Sequence, residues 1–322
     1  MGRLFKNWSG ILVAFILLAL MRLFLPVPFA TEVLIFAIYT MGCNFLLGRV
    51  GLLSFGQPAY LAVGAYFTGL YLSYWGGNPY MGILAGVVGT AVFCLLVGPF
   101  FVRLRSDYFA LVNLALCVII YFLVEKVLMG ITHGDEGLSF LMNMSSTPVL
   151  DLGNQNDFFI FTFLVTLFVW IFCKYTDDSV YGAACMATKM NEDRMNFLGY
   201  STFKVRWSAF VIANTMAGLA GSLYAVWFGY VSPDMSAPAR AADVVVVTIL
   251  GGVGTLYGPL AGSFAYIAMK DLISSLISNW ELFIGLLLVF IMLAGERGIW
   301  GSLEPVIKRF ALKRKAGSPT RT

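Results

Sequence analysis

Long apolar runs separated by short polar connections set the pattern of this chain. Runs near residues 10–25, 32–47, 61–75, 81–102, 107–128, 157–173, 205–228 and 281–295 approach the roughly 20 residues that an α-helix needs to cross a bilayer. Two more, near 241–257 and 259–277, are joined by a Gly/Pro-rich junction rather than a polar loop. The pattern predicts an all-α integral membrane protein with about ten transmembrane helices (about 8–10), forming one domain over residues 1–322. The first run follows Arg3 and Lys6 in the manner of a signal peptide. It ends in LPVPFATE without a small-x-small cleavage site, and so reads as a retained helix.

Composition agrees with that class: 59% of the residues are hydrophobic and 12% charged, against about 25% charged in soluble domains. Five cysteines (Cys43, Cys94, Cys117, Cys173 and Cys185) are scattered through apolar stretches without CxxC spacing, which reads as buried packing. The net charge of +4 becomes informative through its placement. Arg3 and Lys6 begin the chain; Lys308, Arg309, Lys313, Arg314 and Lys315 end it. Arg49, Arg103 and Arg105 fall in alternate connections, and Lys174, Lys189, Arg194, Lys204 and Arg206 crowd the stretch before 207. The opposite connections, including a loop over 130–156, are nearly free of basic residues. The positive-inside rule then predicts cytoplasmic termini, a cytoplasmic 174–206 segment and a periplasmic 130–156 loop.

Helix breakers interrupt the pattern twice. Leu47–Leu53 reads LGRVGLL and is followed by Phe55, Gly56 and Pro58; Leu250–Leu256 reads LGGVGTL and is followed by Tyr257, Gly258 and Pro259. Small-residue-rich helices ending near Tyr66 and Tyr266 follow each. Paired Gly/Pro interruptions in two halves point to an internally repeated transporter whose freed backbone groups face a pathway rather than lipid. Close helix packing through motifs such as Gly82-x-x-x-Gly86 and Gly258-x-x-x-Gly262 is the plainer alternative, although packing does not require proline. The pathway set is Gly51, Ser54, Gly56, Gln57 and Pro58 in one half, with Gly251, Gly252, Gly254, Thr255, Gly258 and Pro259 in the other. Amides freed at helix N-termini there would favour a passing carboxylate.

The segment from Lys174 to Arg206 is too long for a turn and too polar for the bilayer. Asp177, Asp178 and Ser179 offer N-cap chemistry ahead of Tyr181–Leu198, and Gly199 offers a C-cap. Ala183, Met186, Ala187, Met190, Phe197 and Leu198 share a face, which predicts one or two short amphipathic helices lying on the membrane or a partner. A solvated connector is the alternative.

Several chemistries have no support. There is no G-x-x-x-x-G-K-[ST] phosphate loop and no G-x-S-x-G elbow. The one histidine, His133, lies beside Asp135 and Glu136 in the sequence THGDEGL, better read as a solvated loop than a metal site. Catalysis, a metal and a cofactor in this chain are not expected. Asn44, Gln57, Asn113 and Asn214 are intramembrane polar residues, either functional or bonded across helices. Arg240 with Asp243, and Lys270 with Asp271, are expected to pair locally, and Arg22 to snorkel to the outer interface.

Four motifs carry a family resemblance: GLLSFGQPAYLAVGAY (51–66), RLRSDYFALVNLAL (103–116), AFVIANTMAGLAGSLYA (209–225) and LGGVGTLYGPLAGS (250–263). With these, the chain resembles the LivM-type permease subunit of bacterial branched-chain amino-acid ABC importers over nearly its full length. The resemblance implies an inner-membrane permease half paired with a homologous LivH-type half. It also implies two cytoplasmic ATPase subunits that bind the ATP, a periplasmic solute-binding protein, and no nucleic-acid partner. The family's coupling region corresponds to Gly182–Gly199, with Ala183, Met186 and Lys189 where the family usually has arginines. Lys189, Asn191, Glu192, Asp193, Arg194 and Gly199 are the coupling residues so implied. A secondary transporter or a channel would also use broken helices. The former usually shows intramembrane Asp, Glu or Lys, and the latter has no need of the 174–206 segment.

Overall fold

The computed structural model describes residues 26–104, 106–141, 144 and 150–274, together with Leu282, Gly285, Leu286, Gly298 and Trp300. The expected first helix at 10–25 with Arg3, Lys6 and Arg22 lies outside the described residues. So do Arg105, nearly all of the span at 281–295, and the basic residues Lys308, Arg309, Lys313, Arg314 and Lys315.

The chain is helical nearly throughout. Helix α1 (Val27–Phe45) widens at its end into a single π-helical turn, Leu46–Val50, closed by Gly51 in the left-handed conformation. Helices α2 (Gln57–Tyr74) and α3 (Pro79–Phe101) follow, each with a proline in its first turn, where the missing N–H removes nothing the helix would have used. Helix α4 (Ser106–Phe122) continues through a second π-helical turn, Leu123–Val127, and a short α5 (Met129–Thr132) leads into the loop after it. Helix α6 (Gln155–Asp177) is capped by Asn154 and α7 (Val180–Met190) by Ser179; α8 (Glu192–Phe197) and α9 (Thr202–Phe228) complete the central part. Helices α10 (Arg240–Gly251) and α11 (Gly258–Ser274) close the described chain.

Five helical stretches are long and apolar enough to cross a membrane among the described residues: Val27–Val50, Pro79–Phe101, Asp107–Val127, Gln155–Asp177 and Thr202–Phe228. Each overlaps a span expected from the sequence. The expected span at 241–257 is shorter than predicted. Helix α10 stops at Gly251 because Gly252 has φ +113°, outside any helix. Its 12 residues rise only about 18 Å, little more than half of a hydrocarbon core about 30 Å thick.

Helix α9 is the centre of the packing, lying against α1, α2 and α3. The approach to α2 is backbone on backbone: a Cβ on Gly64 would come 2.6 Å from the Gly218 Cα. Tyr60, Phe109 and Phe210 fill the space beside that crossing, with the Tyr60 and Phe210 rings edge to face at 5.5 Å. Threonines Thr31, Thr40, Thr68, Thr90 and Thr166 each turn their hydroxyl back to a carbonyl of the preceding turn, so these five hydroxyls are satisfied within their own helices. Helix α6 packs on α1, and α11 on α1 and α10. All five cysteines are buried. In the loop after α5, Leu138–Ser139 (β1) pairs antiparallel with Tyr230–Val231 (β2), which clasps that loop to the end of α9.

Candidate functional site: the junction of the two breaks and the segment beneath it

Each break carries a left-handed glycine at the matching position, and the second has a further positive-φ glycine in Gly252. Gly51 has φ +78° and Gly254 φ +75°, and these are the matching glycines of LGRVGLL and LGGVGTL. A side-chain hydroxyl sits just after each. Ser54 Oγ accepts from the Gly56 amide at 3.3 Å, and Thr255 Oγ1 accepts from the Gly258 amide at 3.1 Å while donating to the Gly252 carbonyl at 2.8 Å. The following helices, α2 and α11, then begin at Gln57-Pro58 and Gly258-Pro259.

The structure brings the two breaks into contact. A Cβ on Gly48 would lie 2.6 Å from the Gly254 Cα. One turn earlier on α1, Asn44 uses both ends of its amide: Oδ1 accepts from the Gly254 N–H at 2.7 Å, and Nδ2 donates to the Thr255 carbonyl at 2.9 Å. Thr40 continues the seam, its hydroxyl 2.9 Å from that of Ser263 on α11. Asn44 was visible in the sequence only as a polar residue in an apolar run; its partners lie more than 200 residues away.

The other intramembrane amides divide. Asn113 is bonded on both sides, accepting from the Tyr60 hydroxyl at 3.0 Å and donating to the Phe109 carbonyl at 2.8 Å. Gln57 and Asn214 are fully buried, and neither finds a protein partner for its amide among the described residues. Lys270, one of the residues of the expected charge pairs, reaches Glu32 on α1 at 3.3 Å. Arg240 and Asp243 line a small cavity of about 50 Å³ together with Tyr39, Tyr224 and Met235.

Beneath the first break lies the 174–206 segment, which forms α7 and α8 with a break at Asn191. Ser179 is the cap of α7, accepting from the Gly182 amide at 3.2 Å; Asp177 instead ends α6 and pairs with Arg49. Asn191 caps α8, accepting from the Arg194 amide at 2.8 Å. Gly199 follows α8 with φ +86°. Glu192 receives two bonds from Arg206 at 2.9 and 3.0 Å, which ties α8 to the first turns of α9. Asp193 and Arg194 are exposed. Lys189 turns toward the first break, donating to the carbonyls of Gly48 at 2.9 Å and Leu47 at 3.3 Å. Burial, with Arg49 nearby, holds its ammonium below the ordinary lysine value. Lys189 also borders a cavity of about 530 Å³ lined by Leu47, Leu53, Phe55, Val245 and Ile249.

The two faces of the segment differ. Gly182, Cys185, Thr188 and Met195 are buried against the body. Met190, Phe197 and Leu198 are 83%, 91% and 69% exposed, which is unusual for large apolar side chains outside the bilayer. Of the residues of the expected apolar face, Met186, Met190, Phe197 and Leu198 are uncovered among the described residues.

Apolar helices long enough to cross a membrane, interrupted where two broken stretches meet, fit a transport permease by class. The chain belongs to the family described as the branched-chain amino acid transport system / permease component, whose pattern it matches over residues 25–292. It is 29% identical over 305 residues to the LivM permease protein of Salmonella typhimurium, covering 88% of this chain and 71% of that protein. The LivM protein of Escherichia coli is 27% identical over 328 residues, covering 92% and 76%. The LivH protein of Escherichia coli is 24% identical over 294 residues, covering 84% and 92%. Both named permeases are thus relatives of this chain. No solved structure matches it. The chain is a non-catalytic permease subunit of the ABC-importer type, in a multi-pass inner-membrane setting.

Proposed function

We propose that this chain forms one half of the conduit of an ATP-driven importer for branched-chain amino acids or related small carboxylate-bearing solutes. In this reading it crosses the membrane about ten times, with both termini and the 174–206 segment in the cytoplasm and the 130–156 loop in the periplasm. The two breaks are corresponding positions of an internal repeat and form the gate, with Gly51, Ser54, Gly56, Gln57, Pro58, Gly251, Gly252, Gly254, Thr255, Gly258 and Pro259 along the pathway. A LivH-type half completes the conduit, two ATPase subunits bind and hydrolyse ATP, and a periplasmic binding protein delivers the solute. The ATPase docks on the outer side of α7 and α8, around Asn191, Asp193, Arg194 and Gly199, with Glu192 holding α8 in place and Lys189 facing inward.

The observation that carries this reading is the uncovered apolar face at Met190, Phe197 and Leu198 directly beneath the joined breaks. A channel needs no such face. Reconstitution with the ATPase and binding protein tests the whole reading: uptake must require ATP and must cease when either partner is omitted. Uptake by this chain alone on an ion gradient would establish a secondary transporter instead. Docking is tested by replacing Phe197 and Leu198 together with aspartate, which is expected to weaken ATPase recruitment about tenfold or more while membrane insertion persists. Unchanged recruitment counts against the docking surface.

A further inference from the structure

The cytoplasmic segment and the two breaks form one contiguous series of contacts. The Lys189 ammonium, on α7, holds the carbonyls of Gly48 and Leu47. Its stem lies over Gly51, where a Cβ would come 2.9 Å from the Lys189 Cγ, while the residue as a whole remains solvent-exposed. Gly48 rests directly on Gly254 with no side chain between them to absorb a displacement. Asn44 then fixes the Gly254 amide and the Thr255 carbonyl, and Thr255 caps the start of α11 through the Gly258 amide.

A lysine that caps the last carbonyls of a helix commonly serves only that helix. Here the donor belongs to a different element, 141 residues along the chain, and the nearer of the carbonyls it holds belongs to Gly48, which touches the second break. We infer that Lys189 is a positioning residue that transmits movement of the α7–α8 segment to both breaks at once, through Gly48 and then through Gly254 and Asn44. The inference rests on the reading of that segment as the ATPase-docking element. It gives Lys189 an internal role and takes it out of the docking surface.

The experiment uses the complete complex of both permease halves, ATPase subunits and binding protein in proteoliposomes. Lys189→Met keeps the stem and removes the donor; Lys189→Arg restores a donor. The Met variant is expected to recruit ATPase normally yet raise the ATP hydrolysed per solute imported by about tenfold, with the Arg variant recovering most of the loss. A wild-type ratio in the Met variant overturns the inference. Recruitment that falls in step with import also overturns it, since Lys189 would then be an ATPase contact, while the docking reading would stand. Wild-type complex that recruits no ATPase overturns the docking reading itself. Should Lys189→Met fail to insert, Asn44→Ala and Lys189→Ala supply a second test: in a series link the double variant transports no worse than the poorer single one. Losses that multiply place the two residues on separate routes and refute the series link.

Discussion

The two breaks share a glycine geometry but are held from opposite directions. The first ends a stretch long enough to span the membrane, Val27–Val50, through a π-helical turn, and is gripped from the segment below by Lys189 while Arg49 pairs with Asp177 on α6. The second ends a helix of only 12 residues and is gripped from within the bundle, by Asn44 and the Thr255 cap. The difference teaches that similar local sequence sets the turn while its surroundings set what moves it. The first break meets the 174–206 segment directly; the second meets it through the first.

Substitutions can break or sharpen that comparison. The largest effect is expected from Gly48→Val, which drives a side chain into the Gly254 backbone and should cost about 3 kcal/mol or more, read as a lowered melting temperature in detergent with import abolished. Asn44→Ala comes next. It leaves a partly buried N–H and carbonyl of the second break unpaired, at about 2 kcal/mol. Hydrogen exchange should then rise around Gly254–Gly258 and stay low at Leu47–Gly51; equal loosening of both would erase the asymmetry. Smallest are Gly51→Ala and Gly254→Ala, each forcing an L-residue into the left-handed region for about 1–2 kcal/mol. Gly51→Ala is expected to be the costlier of the two, since its Cβ would also meet the Lys189 Cγ at 2.9 Å whereas that of Gly254 has room; equal losses would argue against the grip of Lys189 on the first break.

Much of the helical framework was legible because its signals are local. Helices α3, α4, α6 and α9 lie within a turn of the apolar runs that predicted them. Their starts fall slightly earlier because caps such as Asn78 and Asn154 are polar and invisible to a hydropathy count. The start and end of the short helical part of the 174–206 segment were likewise readable from Ser179 and Gly199, whereas the cap at Asn191 that divides it emerges only in the structure. What could not be read depends on distance. Lys189 resembles any surface lysine until Gly48 is brought beneath it, and Glu192 any surface carboxylate until Arg206 reaches it. The stop of α10 at Gly251 was signalled by the glycines of LGGVGTL, although the apolar run that set the expected span continues past it to 257. Gln57 and Asn113 are both amides in apolar sequence, yet only folding gives Asn113 its tyrosine and leaves Gln57 with none.

The burial of all five thiols has a practical consequence. Cys43, Cys94, Cys117, Cys173 and Cys185 are each no more than 7% exposed, so a water-borne maleimide meets no accessible native thiol in the folded protein. A single cysteine introduced at position 253 or 197 would therefore be the only fast-reacting group, and its labelling rate with and without ATP would time the opening of the gate and the covering of the docking face in an otherwise native chain.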